Sequence, residues 1–349
     1  MRTKILIIRL SSIGDVLLST PLIRILKKKF PSCQIDFIIK KEFHELLAYH
    51  PYLRKIFIYD KNQGRAALRD IKTHLKEEHY DLVVDIHKNF RSIYLRTGLA
   101  VNEVAKFKKY ILKRWLLVNF KYNCYRQIVP VFQRYINSLK DYNLEYDNAG
   151  LDLYIPPEVN QKIAAQWDEL LTNKFQLVIG LAPGASFLTK RWPVQGFSEV
   201  TKYLVQQLKA AVLLFGNGED KTFTTEIKST IPQHVFDVAG KLSLLETAAL
   251  MNYCQLVVTN DSGLMHIASA LKKKVVAIFG STTEELGFFP YTTNSLIVQN
   301  ENLKCRPCSH VGLHKCPKKH FKCMKDIKAQ QVIEAVESYP LKNRGSCHR

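Results

Sequence analysis

No run of about eighteen apolar residues occurs in this 349-residue chain, so no transmembrane helix is expected. The opening Met1-Arg2-Thr3-Lys4-Ile5-Leu6-Ile7-Ile8-Arg9 lacks the long apolar stretch and small-residue cleavage site of a secretory signal. It looks like the first β-strand of a cytoplasmic protein. Gly-x-Gly-x-x-Gly does not follow that strand, and no acidic residue ends the second strand, which disfavours NAD. The Gly-Lys-Ser/Thr of a P-loop is also missing, which argues against NTP hydrolysis. There is no Asp-x-Asp pair of the sort that holds a metal on a nucleotide diphosphate, so any leaving diphosphate must be stabilised by N–H groups and lysine. Between Glu103 and Asp141 the chain has no acidic residue at all.

What is present is an ordinary globular composition, 46% hydrophobic and 23% charged, in a chain long enough for two domains with a core each. The net charge of +20 is uneven. Residues 1–150 hold 28 Lys/Arg against 14 Asp/Glu, and the remainder holds 23 against 17. Within the acid-free stretch, Lys106, Lys108, Lys109, Lys113, Arg114, Lys121 and Arg126 interleave with Phe107, Tyr110, Trp115, Phe120, Tyr122 and Tyr125. Such a mixture suits an acidic glycan, an anionic membrane surface or a nucleic acid, and equally a solvated helix face with its own core stripe.

Strand-like runs alternate with amphipathic stretches in the first half. Lys4–Ile8, Ile35–Ile39, Lys55–Tyr59 and Leu82–Ile86 read as strands; stretches near Pro21–Phe30, Glu42–Tyr49 and Arg65–Glu78 read as helices. A short turn is expected at Ser11–Asp15. Asp147–Val159, with the Pro156-Pro157 pair, breaks the rhythm, and a linker helix over Asn160–Asn173 follows. A second βα series then opens with Leu177–Leu181 and runs to Val275–Phe279. The expected architecture is α/β, with two Rossmann-like domains facing each other across a cleft. Residues 1–155 form the first, 156–175 the linker and 176–340 the second, with a Cys-rich segment at 305–323 and a basic tail at 341–349.

The motif with most to say is Leu256-Val257-Val258-Thr259-Asn260-Asp261-Ser262-Gly263-Leu264-Met265-His266-Ile267-Ala268, a buried strand turning at once into a helix. In open α/β sheets ligands sit beyond the carboxyl ends of strands, where helix N-termini offer free N–H groups to anions. His266, one turn into that helix, is a phosphate or ribose contact or a structural residue. Ser11-Ser12-Ile13-Gly14-Asp15 follows the first strand; a carboxylate there is either a general base or the cap of the next turn. Ala182-Pro183-Gly184-Ala185-Ser186 with Lys190 and Arg191 lets backbone approach an anion that the cations neutralise, unless it is an ordinary basic loop. Glu219, in a third strand-end loop, binds ribose hydroxyls or begins the next helix. Cys305, Cys308, Cys316 and Cys323 have the C-x2-C-x7-C-x6-C spacing of a structural zinc site or are reduced thiols.

Taken in order, Arg9-Leu10-Ser11-Ser12-Ile13-Gly14-Asp15-Val16 with Thr20-Pro21, Pro183-Gly184-Ala185 with Lys190-Arg191-Trp192-Pro193, and Asn260–Ala268 closing with Phe279-Gly280-Ser281-Thr282 are similar to the glycosyltransferase family 9 heptosyltransferases. The resemblance spans roughly Ile5 to Val336. It implies a GT-B fold and an inverting, metal-independent transfer from ADP-heptose to a lipopolysaccharide core acceptor. It implies Asp15 as the catalytic base, with donor contacts from Ser186, Lys190, Glu219, Asp261, Ser262, Gly263 and His266. Lys88 and Arg91, after the fourth strand, are expected to meet an acidic, lipid-linked glycan acceptor. The implied partners are an ADP-sugar and, transiently, the inner face of the cytoplasmic membrane; no nucleic acid is expected.

Overall fold

A computed structural model describes residues 3–341, so the reading of the tail lies outside the described residues apart from Leu341. The chain divides into two compact units: residues up to Lys109 with Val129–Tyr154, and Tyr110–Ile128 with everything from Ile155 onward. Among the described residues no helix is long and apolar enough to cross a membrane.

The first unit is built on β1 (Lys4–Ile8), β2 (Gln34–Lys40), β3 (Leu53–Tyr59), β4 (Leu82–Asp85) and β5 (Glu103–Lys106). All pairings are parallel, in the order β3-β2-β1-β4-β5. Central strands such as Lys-Ile-Leu-Ile-Ile are apolar on both faces because parallel sheets are covered on both sides. The covering helices include α1 (Ile13–Leu17), α2 (Thr20–Lys29), α3 (Gly64–Glu77) and α4 (Phe90–Arg96). Lys27, Lys28 and Lys29 close α2 where the helix dipole favours cations. On α3, Ala67, Leu68, Ile71 and Leu75 form the buried stripe that packs on Ile38, Phe57 and Val83.

Two sequence expectations change here. The segment at Ser11–Asp15 is not a turn: Ile13 already begins α1, with Ser12 as its N-cap. The helix expected over Glu42–Tyr49 is a short 3-10 stretch, Lys41–Leu46, in which only Leu46 is buried. With no apolar stripe to bury, nothing holds full α-turns there.

The second unit opens with α5 (Ile111–Phe120); α6 (Val131–Ile136) returns to the first unit, and α7 (Pro157–Asp168) leads back to the second. The second sheet contains β6 (Val178–Ala182), β7 (Ala211–Leu214), β8 (Val235–Asp237), β9 (Leu256–Asn260), β10 (Lys274–Phe279) and β11 (Ser295–Gln299). Its order is β11-β10-β9-β6-β7-β8, again all parallel. The helices are α8 (Val194–Gln206), α9 (Lys221–Thr230), α10 (Leu244–Met251), α11 (Gly263–Ala270), α12 (Lys322–Lys325) and α13 (Ala329–Glu337). Phe197, Val200 and Leu204 of α8 pack with Ile179, Leu181 and Val332 in one core.

In each sheet the chain winds outward in both directions from a central pair, β1/β4 in the first unit and β6/β9 in the second. These are the switch points at which loops from neighbouring strands diverge and leave room for a ligand.

Candidate functional site

At the β1/β4 switch point the central group is Arg9. Its guanidinium donates to the Ser11 carbonyl (2.8 Å) and the Ile86 carbonyl (2.6 Å), joining the two strand ends. It also pairs with Asp15, Nη2 to Oδ1 at 2.6 Å. Tyr135 donates its hydroxyl to the same oxygen at 3.1 Å, and the other carboxylate oxygen accepts from the Ser12 N–H at 3.3 Å. Asp15 therefore caps α1 and also presents a carboxylate held by a cation. Burial pushes its pKa up, but the Arg9 charge, the Arg9 hydrogen bond, the Ser12 N–H and Tyr135 outweigh it and hold the carboxyl below its ordinary value.

The end of β4 is equally organised. Buried Asp85 accepts from the backbone N–H groups of His87 and Lys88 and from Ser92 and Arg96. His87 is held near 3, chiefly by burial and then by the Arg9 cation. Lys88 directs its ammonium to the Phe107 carbonyl (3.4 Å), while its own carbonyl accepts from Lys109 (2.7 Å). Arg91 lies apart from it, in a groove of about 1260 Å³ that Lys61, Arg65 and Arg69 also line. Tyr59, Phe90 and Tyr94 supply apolar walls, and no carboxylate lines the groove. Arg91 was expected from sequence; the other three cations, from the loop before α3 and its first turns, were not.

In the second unit the sequence-predicted residues come from three adjacent strand ends. Asn260, closing β9, donates to the Pro183 carbonyl (2.6 Å) and accepts from the Trp192 N–H (3.2 Å), clamping the loop after β6 to β9. That clamp delivers Lys190 to Asp261, Nζ to Oδ2 at 2.7 Å, with both side chains largely buried. Thr282, after β10, donates to the same Asp261 oxygen at 2.7 Å. Ser262 is the N-cap of α11 with an extended backbone, and its side chain makes no cap bond. First-turn N–H groups of α11, from Gly263 onward, are thus left for another acceptor. His266 is buried on α11, whereas Ser186 and Glu219 are exposed on the loops after β6 and β7. Gly184 is required by packing: a Cβ there would lie 2.3 Å from the carboxyl carbon of Asp220.

The Cys-rich segment braces this site. Thr189 donates its N–H to the Leu313 carbonyl and accepts from the Ser281 N–H, Cys308 donates its N–H to the Ser281 carbonyl, and Arg306 reaches the Gly280 and Thr282 carbonyls. Of the two readings of Cys305, Cys308, Cys316 and Cys323, the structural zinc site is not borne out: among the described residues no group of three or more His, Cys, Asp or Glu could hold a metal ion. The Cys308 thiol turns to the Cys305 carbonyl (3.2 Å), and Cys305 lies 3.8 Å from a ring nitrogen of His320. Burial, reinforced by the neighbouring thiols, pushes Cys308 up to about 11.

Thr282, Arg306, Tyr135 and Arg9 are the residues whose parts sequence reasoning did not assign. Arg9 and Thr282 sit inside quoted motifs, but only the fold shows what they touch. Tyr135 and Arg306 carry no local signal.

These features define an α/β protein of two parallel sheets, one switch point holding a carboxylate and the other a lysine, a carboxylate and an open helix terminus. Residues 68–319 match the model of glycosyltransferase family 9 (heptosyltransferase), and the chain belongs to that family, which makes it a glycosyltransferase. It is 31% identical over 301 residues to lipooligosaccharide heptosyltransferase 2 of Haemophilus influenzae, covering 80% of this chain and 84% of the relative. Among solved structures, the family 9 glycosyl transferase of Veillonella parvula aligns with a TM-score of 0.80 at 23% identity, over 96% of each chain. The ADP-heptose LPS heptosyltransferase II of E. coli aligns at 0.71 and 24% identity, over 96% of this chain and 98% of that one. The fold is that of the GT-B heptosyltransferases.

Proposed function

We propose that this glycosyltransferase moves heptose from ADP-heptose to an acidic, lipid-linked core acceptor of lipopolysaccharide, with inversion and without a metal. The observation that carries the reading is the meeting of Lys190, Asp261 and the open N-terminus of α11 at one switch point, in a chain of the heptosyltransferase family. A departing diphosphate needs positive charge and N–H donors, and that switch point offers both. Lys190 takes the diphosphate and gives up part of its pairing with Asp261, which turns to the donor sugar. Ser186, Ser262, Gly263 and His266 complete the surroundings of phosphates and sugar, and Glu219 holds the ribose.

Asp15 is the base. The acceptor oxygen attacks the anomeric carbon, the carbon–oxygen bond to ADP breaks with its electron pair leaving on the diphosphate, and the acceptor proton passes to Asp15. The arginine-rich groove containing Arg91 supports an acceptor that carries negative charge, and Lys88, outside that groove at the end of β4, offers a second cation toward it. The printed name of the E. coli relative includes ADP-heptose, which favours the same donor here.

A thermal-shift panel of ADP, UDP and GDP tests the donor assignment. ADP should stabilise the protein most, by mass action on the folded state. Stabilisation by UDP alone would overturn it.

A further inference from the structure

We propose that α5 and the segment after it form a membrane-docking face that rests on a bilayer surface carrying anionic headgroups. The proposal takes from the function above that the acceptor is lipid-linked. Its own support is the way α5 is turned.

A surface helix normally hides its apolar stripe and shows its charges. α5 does the reverse. Its only fully buried side chain is Leu117, while Ile111 is 61% exposed, Leu112 68%, Trp115 51% and Phe120 64%. At 100° per residue these four side chains fall on one half of the helix, together with half-buried Leu116, and Asn119 is the lone polar residue among them. Tyr122, just past the helix, extends the patch, and the Trp115 and Phe120 rings meet edge to face at 5.1 Å. The segment is not loose. Lys121 donates to the Pro307 carbonyl (2.7 Å) and Asn123 to Glu285 (3.0 Å), which fix it to the body of the second unit.

Charge decides the occupant. Residues 104–140 contain no Asp or Glu, Lys113 borders Phe120 at the edge of the apolar half, and Arg126 is exposed just beyond Tyr122. Tryptophan and aliphatic side chains projecting between cations are the composition that enters the headgroup boundary of an anionic leaflet. A second copy of the chain would set these cations against one another. A nucleic acid would leave the isoleucine and leucine in water.

The test uses the whole protein and Leu112→Ser/Trp115→Ser. Both side chains lie outside the core, so the thermal midpoint should not move. Wild type should sediment with vesicles of equal parts phosphatidylglycerol and phosphatidylcholine, more weakly as salt rises, and poorly with phosphatidylcholine alone. The double variant should lose about a hundredfold in vesicle binding. Its ADP release with a deacylated, water-soluble acceptor should stay at the wild-type rate. Vesicle binding by the variant equal to wild type overturns the proposal, as does failure of wild type to bind or conversion of a wild-type dimer to a monomer by the substitutions. Loss of vesicle binding by a protein that transfers to no acceptor would uphold this face and overturn the proposed function instead.

Discussion

Replacing Arg9 with Met tests whether the carboxylate at the β1/β4 switch point is set by its ion pair. At 2.6 Å and an effective dielectric constant near 20, the two charges attract by roughly 6 kcal/mol before desolvation is subtracted. An adjacent arginine typically lowers a carboxyl by about 1–3 pH units. Removing one member of a buried pair costs about 3–5 kcal/mol. Asp15 is 17% exposed and keeps Tyr135 and the Ser12 N–H, so the lower end, about 3 kcal/mol, is expected. The sign with pH follows. In wild type the depressed carboxyl stabilises the fold above its unfolded value near 4, and this is lost as pH falls through the folded value. In the variant, burial dominates and raises the carboxyl, so the charged form now costs stability at neutral pH and acid relieves it. Urea denaturation at about pH 8 and about pH 5 should show the deficit shrinking in acid. The acid limb of turnover should move up by about 1–3 pH units. Adding Asp15→Asn should abolish the pH-dependent part. A deficit equal at both pH values, with an unmoved acid limb, refutes the reasoning.

Three further outcomes follow from the same geometry. Gly184→Ala should cost about 1–3 kcal/mol in urea denaturation because its Cβ displaces Asp220, and Asp220→Ala should restore much of it; a Gly184→Ala variant as stable as wild type contradicts the packing. Burial and the Arg24 cation hold His50 at about 4, so the unfolded chain binds its proton first and stability should fall as pH drops from about 6.5 to about 4. His50→Phe should flatten that slope, and an unchanged slope removes His50 as its source. Lys190→Ala should weaken ADP binding about 10–100-fold by calorimetry, and undiminished affinity would take Lys190 out of the donor site.

The central strands were legible because β1, β4, β6, β9 and β10 are apolar on both faces. The edge strand β5, Glu-Val-Ala-Lys, was not, since only Ala105 is buried and no pattern marks it. Lys190 and Asp261 could be nominated separately as site residues, but not as an ion pair, because Asn260 brings their loops together across 77 residues of chain. The cationic groove was half legible for a similar reason: Arg91 follows a strand directly, whereas Lys61, Arg65 and Arg69 look like the solvated start of a helix until α3 is set beside α4. The cysteine spacing left a zinc site and reduced thiols both open, whereas the backbone of that segment turns toward Thr189 and Ser281 and serves as a brace. Spacing alone carries no information about which way a loop faces.

Asp15→Asn, assayed for ADP release from ADP-heptose with a lipid A–Kdo acceptor and, in parallel, for ADP binding by calorimetry, separates the base from the donor site. Transfer should fall by at least about a hundredfold while ADP affinity stays at the wild-type value. Transfer at the wild-type rate in that variant would contradict Asp15 as the base, and a parallel loss of ADP affinity would contradict the separation of base from donor site.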